Sequence, residues 1–94
     1  MRAARIDANQ PEIVAALRKA GCTVQHLHSV GKGCPDLLVG RAGVNYLIEV
    51  KDGAKRPSDQ KLTPDQVAWH SVWHGQVSVV NTVDGALAAV GLMS

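Results

Sequence analysis

Ninety-four residues, 46% of them apolar, are enough for one core, so a single domain spanning residues 1–94 is expected, and a second copy would help so small a chain bury surface. The formal net charge of +2 permits a phosphate-bearing partner without demanding one, and two Trp, one Tyr and no Phe leave little aromatic surface for stacking bases. No apolar run approaches the roughly 18 residues of a membrane span and no hydrophobic stretch follows Arg2 and Arg5, so a cytoplasmic chain with Cys22 and Cys34 as free thiols is expected.

In chain order, residues 1–8 are a basic lead-in, followed by a helix. Asn9 suits its N-cap, Pro11 its first turn, and Glu12, three residues after Asn9, completes a capping box; Gly21 is the stop. Ile13, Ala16, Leu17 and Ala20 make the buried stripe. Residues 22–29 read as a strand with Val24, His26 and His28 on one face. Histidines spaced His26-x-His28 can chelate a transition metal, but on a half-exposed strand they are ordinary polar positions or, if turned to a site, phosphate contacts. Ser29-Val30-Gly31-Lys32-Gly33 is a flexible loop delivering Lys32. It lacks the glycine spacing and Lys-Ser/Thr of a phosphate-binding P-loop, and no nucleotide cofactor is expected.

Gly33-Cys34-Pro35-Asp36 then leads into a short strand, Asp36-Leu37-Leu38-Val39, and a second strand covers residues 45–51, with Gly40-Arg41-Ala42-Gly43 supplying the turn. A turn centred near Ala42 or Gly43 puts Asp36 roughly opposite Glu49, and alternation puts Glu49 and Lys51 on one face. A carboxylate among Tyr46, Leu47, Ile48 and Val50 needs a partner, because an unpaired charge in apolar surroundings is costly. A hard cation such as Mg²⁺ or Mn²⁺, held by Asp36, Glu49 and a backbone carbonyl, would supply one. A cross-strand salt bridge from Lys51 to Asp36 or Glu49 is the competing reading, and the spacing alone leaves both open.

After Lys51 the chain turns at Asp52-Gly53 into its most basic segment. Lys55, Arg56 and Lys61, with Lys32, are candidate phosphate contacts. A second helix is signalled by Thr63 as N-cap, Pro64 at N1 and Gln66 at the capping-box position, running to about His74, with Trp69, Val72 and Trp73 facing the sheet or a second subunit. Gln66 and His70 share a face. His70 and His74 have zinc-pair spacing, but the His-Glu-x-x-His glutamate is absent. Residues 76–81 form a fourth strand, parallel to the Glu49 strand after the helical crossover, and residues 82–93 a terminal helix that closes the core or meets a dimer partner. The expected class is α/β: a central mixed four-stranded sheet flanked by helices, in the order αβββαβ plus a short C-terminal helix.

The ordered set Glu12, Gly33-x-Pro35-Asp36, Glu49-x-Lys51 and Gln66 resembles the PD-(D/E)XK nuclease signature, closest to the short stand-alone form of the VRR-NUC (virus-type replication-repair nuclease) family, over almost the whole chain. The resemblance implies a restriction-endonuclease-like core in a bacterial or phage-infected cell. It implies Mg²⁺ or Mn²⁺ on Asp36, Glu49, the Val50 carbonyl and Glu12, with Lys51 orienting the attacking water and Gln66 reaching the active site. It further implies a homodimer hydrolysing phosphodiester bonds of DNA, branched or Holliday-junction-like, in replication, repair or recombination, and leaving a 5′-phosphate.

The alternatives are a flap or nicking nuclease, a non-catalytic nucleic-acid-binding module retaining the fold, and a small interaction protein whose charges form a salt-bridge cluster. Mass by light scattering separates a dimeric junction resolvase from a monomeric nicking enzyme. Divalent-cation binding at Asp36 and Glu49 separates both from the non-catalytic readings, since carboxylates facing a phosphate backbone repel it without a metal.

Overall fold

Two adjacent residues with positive φ, Ala42 (50°) and Gly43 (79°), reverse the chain in a two-residue turn of the kind whose twist matches a hairpin. They join β2 (Leu37–Arg41) to β3 (Val44–Val50), with Arg41 opposite Val44 and Leu37 opposite Ile48. Continued by one residue, this register sets Asp36 against Glu49, as the hairpin pattern requires. The structure, a computed structural model, describes residues 6–93; Arg2 and Arg5 lie outside the described residues.

β1 (Thr23–His26) pairs antiparallel with β2, and β4 (Ser78–Val80) pairs parallel with β3, giving a mixed sheet in the order β1-β2-β3-β4. β1 is shorter than residues 22–29, although the Leu27 N–H still reaches the Asp36 carbonyl at 2.8 Å. On the other edge, the Gln76 carboxamide takes the place of a strand residue. Its Oε1 accepts from the Leu47 N–H at 2.7 Å and its Nε2 donates to the Leu47 carbonyl at 3.0 Å, extending the pairing of β3 beyond β4.

Pleat parity divides the sheet. Leu37, Val39, Ile48, Val50 and Val80 face the helices α1 (Gln10–Lys19) and α3 (Val83–Ala89), where Ile13, Val14, Leu17, Ala86 and Val90 complete the core. Asp36, Glu49 and Lys51 belong to the other parity, on the side of α2 (Pro64–Val72). Thr82 caps α3 through the Gly85 N–H at 2.9 Å, and the terminal helix closes the core.

Two local expectations are corrected. Asn9 makes no cap with its side chain and has helical φ and ψ; its Nδ2 instead donates to the Lys51 and Asn81 carbonyls at 3.0 and 3.1 Å, tying α1 to the ends of β3 and β4. The capping box with Glu12 therefore does not form. α2 ends at Val72, short of His74, and buries none of its residues. Val72 (72% exposed) and Trp73 (44%) do not pack on the sheet; Trp73 stacks on Trp69 instead, ring centroids 4.7 Å apart.

Gly33 sets how closely the loop before Asp36 approaches α2. Its φ is +83°, and a Cβ there would lie 2.2 Å from the Asp65 carbonyl oxygen. Gly43 has a similar φ, +79°, but open space around it. Gly33→Ala is expected to cost about 2–4 kcal/mol, from backbone strain plus the clash, and Gly43→Ala about 1–2 kcal/mol from strain alone. Equal losses in urea denaturation would show that the loop and α2 are not in tight contact.

Candidate metal centre

Asp36 sits one residue before β2 and turns its carboxylate onto the neighbouring strand, where Oδ2 accepts the Val50 N–H at 2.8 Å. The N–H and C=O of one strand residue point to the same edge, so the Val50 carbonyl looks toward Asp36 as well. Glu49 is 1% exposed. Its Oε2 accepts from Gln66 Nε2 at 2.9 Å, and its Oε1 is buried without a partner.

Lys51 is 8% exposed, and its Nζ donates to Gln66 Oε1 at 2.7 Å. The salt bridge from Lys51 to Asp36 or Glu49 does not form; the ion pairs among the described residues are Lys55 with Asp7 at 3.8 Å and Arg56 with Asp59 at 3.3 Å. Gln66 joins the group because it caps α2. Thr63 Oγ1 accepts the Gln66 N–H at 3.2 Å and the Thr63 N–H donates to Gln66 Oε1 at 2.9 Å, so the amide oxygen is fixed toward the cap and Lys51, and the amide nitrogen toward Glu49. Capping and site contact are one arrangement of one side chain.

Burial, followed by the charge of Asp36 and a hydrogen bond with it, pushes the Glu49 carboxyl up to about 9, against a smaller lowering by Lys51; Asp7 adds to the rise. The same pair, after burial itself, raises the Cys34 thiol. Both free cysteines are thiols, Cys22 in the core and Cys34 beside the carboxylates. Lys51 thus compensates the pair of carboxylates only in part.

The structure brings together Asp36, Glu49, Val50, Lys51 and Gln66. Glu12 is apart from them. It is exposed and lines a shallow cavity with Asn9, Asp52, Gly53 and Asn81, and the nearby carboxylate that acts on Glu49 besides Asp36 is Asp7, in the segment before α1. The phase of α1 explains this: Ile13, Val14 and Leu17 point inward, and stepping back three, four and seven residues from them arrives at Gln10, which is 1% exposed, not at Glu12. Both amide atoms of Gln10 are buried without partners, a state that costs about 1–3 kcal/mol per group. Gln10 was readable from that phase. Lys32, Lys55, Arg56 and Lys61 are all exposed, the last three around a 3-10 turn, Pro57–Gln60. His70, one turn beyond Gln66, has a buried Nε2 without a partner. Among the described residues no group of three or more His, Cys, Asp or Glu converges as a metal cluster, so a cation here would rest on two carboxylates and backbone or water oxygens.

No family model matches the sequence, and no curated protein matches it significantly. Among solved structures, the chain is similar to one described as a VRR_NUC domain, with a TM-score of 0.62 and 28% identity over 86% of this chain and 88% of that one. The mixed four-stranded sheet and the three flanking helices are consistent with that likeness. By fold and by structural likeness, the chain resembles a VRR_NUC domain and has the nuclease-type α/β architecture.

Proposed function

We propose that the protein is a divalent-metal-dependent endonuclease that hydrolyses phosphodiester bonds of structured DNA, with branched or junction-like DNA as its substrate class. The observation that carries this reading is the unpartnered, buried Oε1 of Glu49 beside Asp36. A buried carboxyl oxygen with no donor, which a bound cation would hold deprotonated, in a set of hard oxygen atoms, fits Mg²⁺ or Mn²⁺. Asp36, Glu49 and the Val50 carbonyl would hold the ion. When bound, it supplies Lewis acidity and activates water at neutral pH.

The chain's own residues do the rest. Gln66 holds Glu49 and Lys51 in one plane of hydrogen bonds, so neither side chain has to be ordered when substrate arrives. Lys51 presents an ammonium that is bonded to an amide and not neutralised by a carboxylate, and it is thereby free to orient the attacking water and to stabilise charge growing on the phosphate. Lys32, Lys55, Arg56 and Lys61 contact the backbone. The ion pairs of Lys55 and Arg56 are exposed and worth little, so a phosphate displaces them readily. No helix of the described residues is long and apolar enough to cross a membrane.

A homodimer is the assembly that suits paired incision of branched DNA. The face that supports it is apolar and exposed: Val67, Val72 and Trp73 around α2, with Val79 on the edge strand β4. Light scattering at micromolar protein should give twice the monomer mass, and Val72→Glu combined with Val79→Lys should return it to one. A monomer in both cases would remove the paired-site version and leave a nicking nuclease.

Cleavage of a labelled panel containing four-way junction, flap, nicked, linear and single-stranded DNA should require Mg²⁺ or Mn²⁺ and favour the junction. Glu49→Ala should abolish it, and Lys51→Ala should slow it by about 10²–10³-fold. A wild-type chain that binds the panel and cuts nothing with either ion is a binding module.

The Glu49 carboxyl also predicts a pH signature. Its folded value is pushed up to about 9 from an ordinary 4.5, so between those pH values the metal-free folded state binds more protons than the unfolded one, and stability falls as pH rises. In EDTA the Tm should therefore drop between about pH 5.5 and 8.5, beyond any drop seen in Glu49→Gln. Mg²⁺ should restore it with release of a proton, its benefit growing with pH. A Tm profile that Glu49→Gln leaves unchanged would show that Glu49 ionises normally.

A further inference from the structure

A cavity of about 370 Å³ lies between α1 and β1, outside the carboxylate site, with the buried Gln10 and Val14 on its inner side and Ala15, Arg18, His26 and His28 around it. The volume is at the lower end of small-ligand pockets. Two observations mark it as more than a gap between a helix and an edge strand. Gln10 is 1% exposed, with neither Oε1 nor Nε2 hydrogen-bonded, and the Nδ1 of His28 is likewise buried without a partner. Buried carboxamides ordinarily find partners, so a donor and an acceptor side by side at an apolar wall are matched only by something that enters.

Its position is equally specific. His26 pairs with Leu37, and the Leu27 N–H reaches the Asp36 carbonyl, so the cavity lies at the end of the sheet that carries the carboxylate pair, on the opposite face. A strand lying along that end would have its phosphates toward the carboxylates and a base within reach of the cavity.

We propose that this cavity receives one unstacked base of the DNA strand, adenine by preference, an inference that rests on the DNA-cleaving reading above. A glutamine carboxamide matches the donor-acceptor edge of adenine, N6 and N7, in a bidentate pair. The imidazoles of His26 and His28, whose rings meet edge to face at 5.8 Å, offer a stacking surface at the mouth. Arg18 spends one N–H on the Val24 carbonyl at 3.3 Å and keeps others for the phosphate attached to that base. Because both amide atoms of Gln10 are sealed from water, the base is met by rotation of that side chain, which makes its amide a direct reporter.

The test is two-dimensional NMR of the ¹⁵N-labelled full chain titrated with dAMP, dCMP and inorganic phosphate. Saturable movement of the Gln10 side-chain amide and of the His26 and His28 signals with dAMP is expected, at least about 10-fold weaker with dCMP and absent with phosphate. Gln10→Met, similar in shape and without the amide, should weaken dAMP by about 10-fold or more with the rest of the spectrum in place. Should that variant fail to fold, His28→Ala serves in its stead. A flap oligonucleotide with 2-aminopurine stacked beside a single adenine should brighten when wild type draws that adenine out of the stack, and not with the variant. A Gln10 amide unmoved by dAMP, or moved equally by dCMP, overturns the subsite even if the panel above is cleaved. Binding of dAMP without a 2-aminopurine response overturns the strand-base assignment in favour of a free-mononucleotide site. A full response from dAMP and 2-aminopurine with no cleavage supports the base pocket and counts against the nuclease reading alone.

Discussion

One carboxamide, that of Gln66, holds the site in its geometry. Its oxygen accepts from the Thr63 N–H and from Lys51 Nζ, and its nitrogen donates to Glu49. An amide has two chemically different ends, and the helix cap decides which way they point. Reversal would set an N–H against the Thr63 N–H and the Lys51 ammonium, and an oxygen against a carboxylate. The start of α2 is therefore what fixes the relative placement of two side chains on a different element. The close approach of Gly33 to the Asp65 carbonyl extends the same constraint to the loop that delivers Asp36.

The sheet can afford charge on one face only because the other supplies the cohesion. Along β3 the residues Ile48 and Val50 lie in the core with α1 and α3, and Glu49 lies between them in sequence yet on the α2 side. In a chain this small, a buried carboxyl beside a second carboxylate and without a salt bridge is costly, as the raised Glu49 carboxyl indicates. Lys51, two residues on, relieves this only in part, its ammonium being bonded to Gln66.

Much of the fold was legible because it depends on local chemistry. Ala42-Gly43 fixed the hairpin, period-two alternation put Glu49 and Lys51 together, and Thr63-Pro64-Asp65-Gln66 announced a helix start that the structure contains. What was not legible depends on residues far apart in sequence. Asn9 is a good cap by type, but carbonyls 42 and 72 residues away claim its amide. The sequence turns Trp69, Val72 and Trp73 of α2 toward the sheet or a partner, yet α2 buries none of its residues and leaves Val72 and Trp73 outward. Glu12 was chosen by residue type where helix phase was the better guide, since phase places Gln10 inward and leaves Glu12 in solvent.

The neutrality of the Lys51 partner bears on what the site can do. A lysine paired with a carboxylate shares its charge with that anion, and a phosphate arriving from solution must compete with the pair. An amide oxygen holds the ammonium in place while leaving its net charge intact and two of its three N–H donors unassigned. The same amide, through its nitrogen, steadies Glu49 without neutralising it. Gln66 thus orders an ammonium and a carboxyl side by side and prevents neither from acting on a third group, which a glutamate or a lysine at position 66 could not do for both.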